Sequence, residues 1–257
     1  MNLREQYVAF LTIVRKEIKR YLRIWTQTLL PSGITMSLYF VIFGSLIGSR
    51  IGEMGGFTYM QFVVPGLIMM AIVTNSYSNV VSSFFGSKFS HSVEELLVSP
   101  VSNFVILMGY VVGGVSRGLL VAVVVTLVSL FFTHLHIFSY LVVVVVVLMT
   151  STLFALAGFI NAVYANNFDD ISIIPTFVLT PLIYLGGVFY SMDLLSPFWA
   201  NVSKLNPLVY VVNAFRYGVL GVSDVSLPVA FGMIAFFTAV AFFYSMHLLN
   251  SGKRLRQ

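Results

Sequence analysis

A chain of 257 residues that is 58% hydrophobic and only 9% charged cannot coat a soluble globule, in which charged residues make up about a quarter, and its mean hydropathy of +0.95 points to a polytopic, all-α membrane protein. The net charge of +5 does not indicate nucleic acid, because the basic residues gather at the two ends beside apolar segments, where they encode membrane topology. With no cysteine, disulfides, zinc–thiolate sites and cysteine nucleophiles are excluded.

Residues 1–25 predict an interfacial amphipathic helix. Leu3, Tyr7, Phe10, Leu11, Val14, Ile18, Tyr21, Leu22 and Trp25 recur at steps of three and four, and Arg15, Lys16, Lys19, Arg20 and Arg23 lie across the helix from them. Such a face is drawn to anionic cytoplasmic lipid, with Trp25 at the headgroup level, so the N-terminus is placed in the cytoplasm. No small-residue cleavage site follows the first apolar run, and no removable signal peptide is expected.

Ile24 to Ser49 is uncharged over 26 residues, where about 20 suffice to cross a bilayer. It contains the first predicted span, 26–48, with Pro31 near its start; Gly44, Gly48 and Gly52 recur every four residues, a spacing that permits close helix approach, although the last two fit the exit turn with Arg50 and Glu53 better. A short outer turn at Arg50 and Glu53 leads to span two, 59–81, which Pro65-Gly66 is expected to bend. The segment 88–100, KFSHSVEELLVSP, is a charged island between two long uncharged stretches. Within it Phe89, Val93, Leu96 and Leu97 fall on one helical face and Glu94 and Glu95 point away. Ser92 with Glu95 reads as a capping box, and Pro100 as the stop. By pattern alone this is either a helix lying on the membrane or a docking point for a soluble partner.

Span three, 104–132, carries Gly109, Gly113, Gly114 and Gly118 around Arg117. An arginine at mid-bilayer costs about 2.5–3.5 kcal/mol on insertion scales, so Arg117 is expected to face protein or water, either tying two helices together or lining a pathway. His134 and His136 lack a third metal ligand and mark an outer turn. Span four, 139–164, opens on a β-branched run that would suit a strand in water and that lipid drives into a helix. Asn166, Asn167, Asp169 and Asp170 form an inner polar turn, since adjacent aspartates diverge on a helix and do not make a catalytic pair. Span five, 171–190, is bent by Pro175, Pro181 and Gly186-Gly187.

Residues 191–226 are expected to dip into the membrane and return as a pair of short re-entrant helices between Asp193 and Gly221. Asn206 and Pro207 supply an N-cap and a first-turn proline, and Leu208 to Leu220, divided by Arg216, is too short to cross. Packed against spans five and one, with Tyr210 and Tyr217 near the interface, this segment is read as an outer gate of Asn206, Pro207, Tyr210, Arg216 and Tyr217, in competition with a static lid. Span six, 227–249, ends before Lys253, Arg254 and Arg256. Ten basic residues then lie inside against three outside, which favours six spans with both termini cytoplasmic.

Chemistry-bearing motifs are sparse. Ser251-Gly252-Lys253-Arg254 lacks the upstream glycine and the following Ser/Thr of a phosphate-binding loop, no HExxH zinc motif is present, and no catalytic serine elbow is expected. The basic N-terminal helix, Val64-Pro65-Gly66, the island 88–100, FDDIS at 168–172 and, most specifically, LNPLVYVVNAFRYGVLG at 205–221 resemble the membrane subunit of ABC-2 type transporters over essentially the whole chain. The resemblance implies a homodimer of six-helix subunits in the bacterial inner membrane, served by two copies of a separate ABC ATPase. ATP and Mg would be bound by that partner and no cofactor by this chain, which is then not itself an enzyme. The island between spans two and three would be the coupling helix, a role carried onto Phe89, Val93, Glu94, Glu95, Leu96 and Leu97, with the N-terminal helix as a second contact. Export of a lipid-like, glycan or drug-like substrate is the expected activity. On the residues alone a secondary transporter and an intramembrane enzyme stay open. The first needs intramembrane acids, and none falls in the six predicted spans; the second finds only Arg117 and scattered hydroxyls and asparagines.

Overall fold

The computed structural model describes residues 2–252, so the basic tail of Lys253, Arg254 and Arg256, expected inside, lies outside the described residues. The chain is almost entirely helical. In order it forms α1 (Leu3–Arg23), α2 (Trp25–Thr28), α3 (Leu30–Phe40), a π-helical stretch (Val41–Ile47) and α4 (Gly48–Ile51). A hairpin of β1 (Glu53–Met54) and β2 (Phe57–Thr58) follows, then α5 (Tyr59–Phe89), α6 (Ser92–Val98), α7 (Asn103–Ser129) and α8 (Tyr140–Tyr164). The remainder comprises α9 (Asp170–Ile174), a π-helical turn (Pro175–Leu179), α10 (Thr180–Tyr184), α11 (Pro197–Ser203), α12 (Pro207–Leu220) and α13 (Leu227–Ser251). Trp25–Gly44, α5, α7, α8 and α13 are each long and apolar enough to cross a membrane. The hairpin turns on Gly55 and Gly56, both at positive φ, as a two-residue turn matched to strand twist requires.

The bundle is built around α5. Its start is capped reciprocally, the Gln61 amide donating to Thr58 Oγ1 and the Thr58 amide to Gln61 Oε1. The helix then runs 31 residues without interruption, about 46 Å at 1.5 Å per residue, against a hydrocarbon core of about 30 Å. Span two is therefore eight residues longer than 59–81, and its last turns project beyond the apolar slab. Pro65 lies inside the helix without ending it. Gly66 serves packing, since a Cβ there would stand 2.7 Å from the Val188 carbonyl oxygen.

Three further expectations are corrected by packing. Helix α1 is amphipathic as predicted, yet it does not lie apart on a surface: Gln6 bonds Pro100 and Ser102, and Cβ atoms at Gly109 and Gly113 would collide with Ile13 and Glu17. The contacts climb α7 in step, so the two helices run side by side in the same direction, the glycines permitting the approach. Ile13, Glu17 and Tyr21 are the buried stripe of α1, while Leu3, Tyr7, Leu22 and Trp25 stay exposed. Span five is shorter than 171–190. The helical run Asp170–Tyr184 has 15 residues, about 22 Å, and the chain leaves it in a turn where Gly187 takes a positive φ. Finally, α12 packs chiefly on α5, α8 and α13, and it meets span five near that span's end, where Asn206 bonds the Leu182 carbonyl and Arg216 the Gly187 carbonyl. Large apolar side chains such as Ile34, Leu38, Phe236 and Phe243 remain exposed on α3 and α13, which carries no penalty where the surrounding solvent is lipid.

Candidate functional site

At one end of α5 the chain changes direction sharply, and two side chains set how. Lys88, 3% exposed, donates from Nζ to the Val163 and Ala165 carbonyls, both at 2.8 Å. It thereby satisfies the last carbonyls of α8 with a cation at the helix C-terminus. Phe89 then turns out of the core and meets Phe168 at 4.9 Å between ring centroids, with Phe85 edge-on to the same Phe168 at 5.0 Å. The island and the FDDIS turn are thus one surface. The turn is itself rigid, because Asp170 Oδ2 accepts from the Asn166 and Asn167 amides while Asn167 Oδ1 accepts from the Asp170 amide.

The island is not a single helix over 88–100. Lys88 and Phe89 finish α5, Ser90 and His91 break it with His91 in the left-handed region at φ 58°, and α6 restarts as seven residues. The expected Ser92–Glu95 capping box does not form. His91 occupies the N-cap, and Ser92 Oγ donates back to the Ser87 carbonyl at 3.0 Å. Of the six residues assigned to coupling, Val93 is 1% exposed and faces the chain's own core, with Leu96 and Leu97 half-buried against it. The break rotates α6 relative to the end of α5, so the shared apolar face read across residues 89–97 does not exist. Phe89, Glu95 and Val98 are outward, with Glu94 partly so.

Deeper between α1, α5 and α7 lies a polar seam. Glu17, fully buried, accepts from Ser83 Oγ at 2.5 Å and pairs with Arg20 at 3.3 Å. Arg20 also donates to the carbonyl and side-chain oxygens of Asn79 and to Ser82, and Lys16 donates to Ser87. Arg117 is buried, donating to Asn75 Oδ1 at 2.9 Å and to the Thr28 carbonyl at 3.3 Å, so it ties α7 to α5 and to the end of α2. Asn75, Asn79, Ser83 and Ser87 repeat every four residues along one face of α5. Glu17 lies outside the six predicted spans, in the N-terminal helix, and is nevertheless buried in the bundle. It was legible only as the one acid among the basic residues 15–23, four residues from Ile13 and four from Tyr21. Gly114-Val115-Ser116-Arg117-Gly118 does have the spacing of a serine elbow, but it sits mid-helix in α7 with Ser116 Oγ bonded to the Gly113 carbonyl, not on a strand-to-helix turn.

The residues assigned to the outer segment gather at the other end of α5, about 40 Å away. Asn206 caps α12 through the Leu208 amide and donates to the Leu182 carbonyl, with Pro207 as the first helical residue. Tyr210 donates to the Lys204 carbonyl at 2.7 Å, and Tyr217 packs edge-on to Phe138. Arg216, 1% exposed, lies 3.8 Å over the Phe62 ring and donates to the Gly187 carbonyl. Asp224, which the sequence did not single out, accepts from Ser191 Oγ and the Met192 amide. Beside the Ser191–Asp224 contact lies an open cavity of about 560 Å³ lined by Glu53, Phe62, Asp193 and Asp224 among others. Among the described residues no group of three or more His, Asp or Glu is placed to hold a metal.

Residues 8–220 match the family model for the ABC-2 type transporter. The chain is 56% identical over 250 residues to the inner membrane transport permease YadH of Escherichia coli K12, covering 97% of this chain and 98% of that protein. It is 23% identical over 251 residues to nodulation protein J of Neorhizobium galegae, covering 96% and 94%. With a match of that extent over a helical bundle that has five membrane-crossing segments, the chain belongs to the ABC-2 type transporter family and is a multi-pass permease subunit of an ABC transporter in the bacterial inner membrane.

Proposed function

We propose that this permease works as a homodimer that exports a lipid-like, glycan or drug-like substrate, driven by two copies of an ABC ATPase docked at the α6 end. ATP and Mg belong to that partner. The observation that carries the reading is the anchored projection of α6: Lys88 locks the end of α5 to the end of α8, and Phe89 and Phe168 present an aromatic pair beside Glu94 and Glu95. A push on that surface is delivered to α5, the central helix, and not absorbed by a loop. Phe89, Phe168 and the outward side of α6 are the contact, Val93 serving as the internal key that seats α6, and α1 contributes beside them. Both termini are cytoplasmic, with α9 to α10 and the following turn completing a sixth, short crossing. The segment containing α11 and α12 dips in from outside and gates the outer mouth through Asn206, Pro207, Tyr210, Arg216 and Tyr217, and Arg117 acts as a helix tie.

The test is co-expression with candidate ABC ATPases and reconstitution into vesicles carrying candidate lipids, glycans and drugs. Phe89→Ala with Glu94→Lys is expected to abolish transport while the protein still inserts and dimerises. Unchanged transport in that double variant overturns the docking assignment.

A further inference from the structure

On α1 the cations Lys16, Lys19, Arg20 and Arg23 recur at i, i+3, i+4 and i+7, which stacks them on one face. Together with Leu22 they line an open groove of about 750 Å³. Two of them are preset from below, Lys16 by Ser87 and Arg20 by Asn79 and Ser82. Like charges four residues apart destabilise a helix, and the groove keeps two such pairs, Lys16 with Arg20 and Lys19 with Arg23, beside a third on α1, Arg15 with Lys19. Between Glu5 and Glu53 the sole acid is Glu17, whose carboxylate is buried and committed to Ser83 and Arg20. The groove therefore sets four cations against one carboxylate, and Lys16, Lys19 and Arg23 leave it a concentrated positive field.

Its depth identifies the anion. Counting from Tyr59, about 20 residues of α5 cross the hydrocarbon, which ends near Asn79, the residue that holds Arg20. The groove thus stands at the level of lipid phosphates. Leu22 and Trp25, 45% and 52% exposed, continue the α1 surface on the side where acyl chains would lie. We propose that this groove holds the phosphate of an anionic phospholipid from the leaflet in which α1 lies, as a resident lipid of the folded permease. Lys19 and Arg23 are the free donors of the site, and Lys16 and Arg20 the positioned ones.

The experiment uses the full chain in nanodiscs of phosphatidylethanolamine with a minor fraction of phosphatidylglycerol, and native mass spectrometry to count retained phosphatidylglycerol. Lys19→Gln with Arg23→Gln is compared with Arg4→Gln with Arg15→Gln, which removes the same charge away from the groove. At about fivefold per cation, the first pair is expected to weaken retention about 25-fold and the second to leave it nearly unchanged. Equal loss in both pairs would mean a diffuse surface field, and absence of retention by the unaltered chain would mean no site; either overturns the proposal. A photo-crosslinkable phosphatidylglycerol on the unaltered chain makes the result independent of any variant. Crosslinks concentrated at Leu22 to Trp25 support the site. Crosslinks spread over α3 and α13, or a Leu22→Cys variant that instead joins two copies of the chain, overturn it.

Discussion

A carboxylate survives at Glu17 with no exposure because each oxygen is spoken for, one by Ser83 and one by Arg20. Truncating it leaves Arg20 bonded to Asn79 and Ser82 but without its charge partner, in a seam only partly open to solvent. Glu17→Ala should destabilise the protein by about 3 kcal/mol, the low end for breaking a buried pair, whereas Glu17→Gln, which can still accept from Ser83, should cost less. Thermal unfolding in detergent compares the two. Gly113 makes the same seam possible from the other side, since a Cβ would lie 2.5 Å from Glu17 Cβ, an atom fixed to the α1 backbone. Gly113→Val is expected to lever α1 off α7 at a cost of about 1–3 kcal/mol, read as faster proteolysis of α1 in a protein that still inserts. For Arg117, two bonds to Asn75 and Thr28 argue for a tie between helices. Arg117→Leu should lower stability by about 1–3 kcal/mol, for the stranded Asn75 acceptor, and leave transport in place. Lost transport in an intact dimer would put Arg117 in the substrate path.

Among the elements, α6 and α12 hold their positions by opposite means. Seven residues cannot sustain a helix in isolation, so α6 depends on Val93 in the core and on the Lys88 clamp behind it. Lys88→Met keeps the apolar stem and leaves the Val163 and Ala165 carbonyls without that cation. Stimulation of the partner ATPase by transport substrate is expected to fall severalfold while membrane insertion is unaffected, and full stimulation would separate the clamp from coupling. Helix α12 instead is buried along most of its 14 residues, so probes of the gate belong on its approaches. Cysteines at Phe198 and Leu205, 68% and 80% exposed, should react with an impermeant thiol reagent added from outside. Reaction that changes when the ATPase is trapped with ATP marks a moving gate, and reaction from the cytoplasmic side alone refutes the placement.

For the molecule as a whole, topology follows from where the basic residues sit, and it is directly measurable. Reporter fusions after Ser90 and Asn167 should report cytoplasm and fusions near Gly55 and Asp224 the outside; an external residue 90 would invert the arrangement. What the chain determined by itself was the solvent it folds in and the elements that solvent demands. Uncharged runs near and above 20 residues must become helices because lipid offers no partner to a bare peptide group, and so the β-branched start of α8 was legible as helix. Local chemistry likewise placed the Asn206-Pro207 start of α12 and the polar turn at 166–170. Tertiary structure alone decided how far each helix runs and what each polar side chain faces. That α5 continues through Lys88, that Val93 turns inward, that α1 leans on Gly109 and Gly113, and that Glu17 and Arg216 are buried all depend on neighbours distant in sequence. Hydrophobic pattern orients a helix against water or lipid, but a partner helix can offer carbonyls, hydroxyls or the bare backbone of glycine, and periodicity carries no record of which.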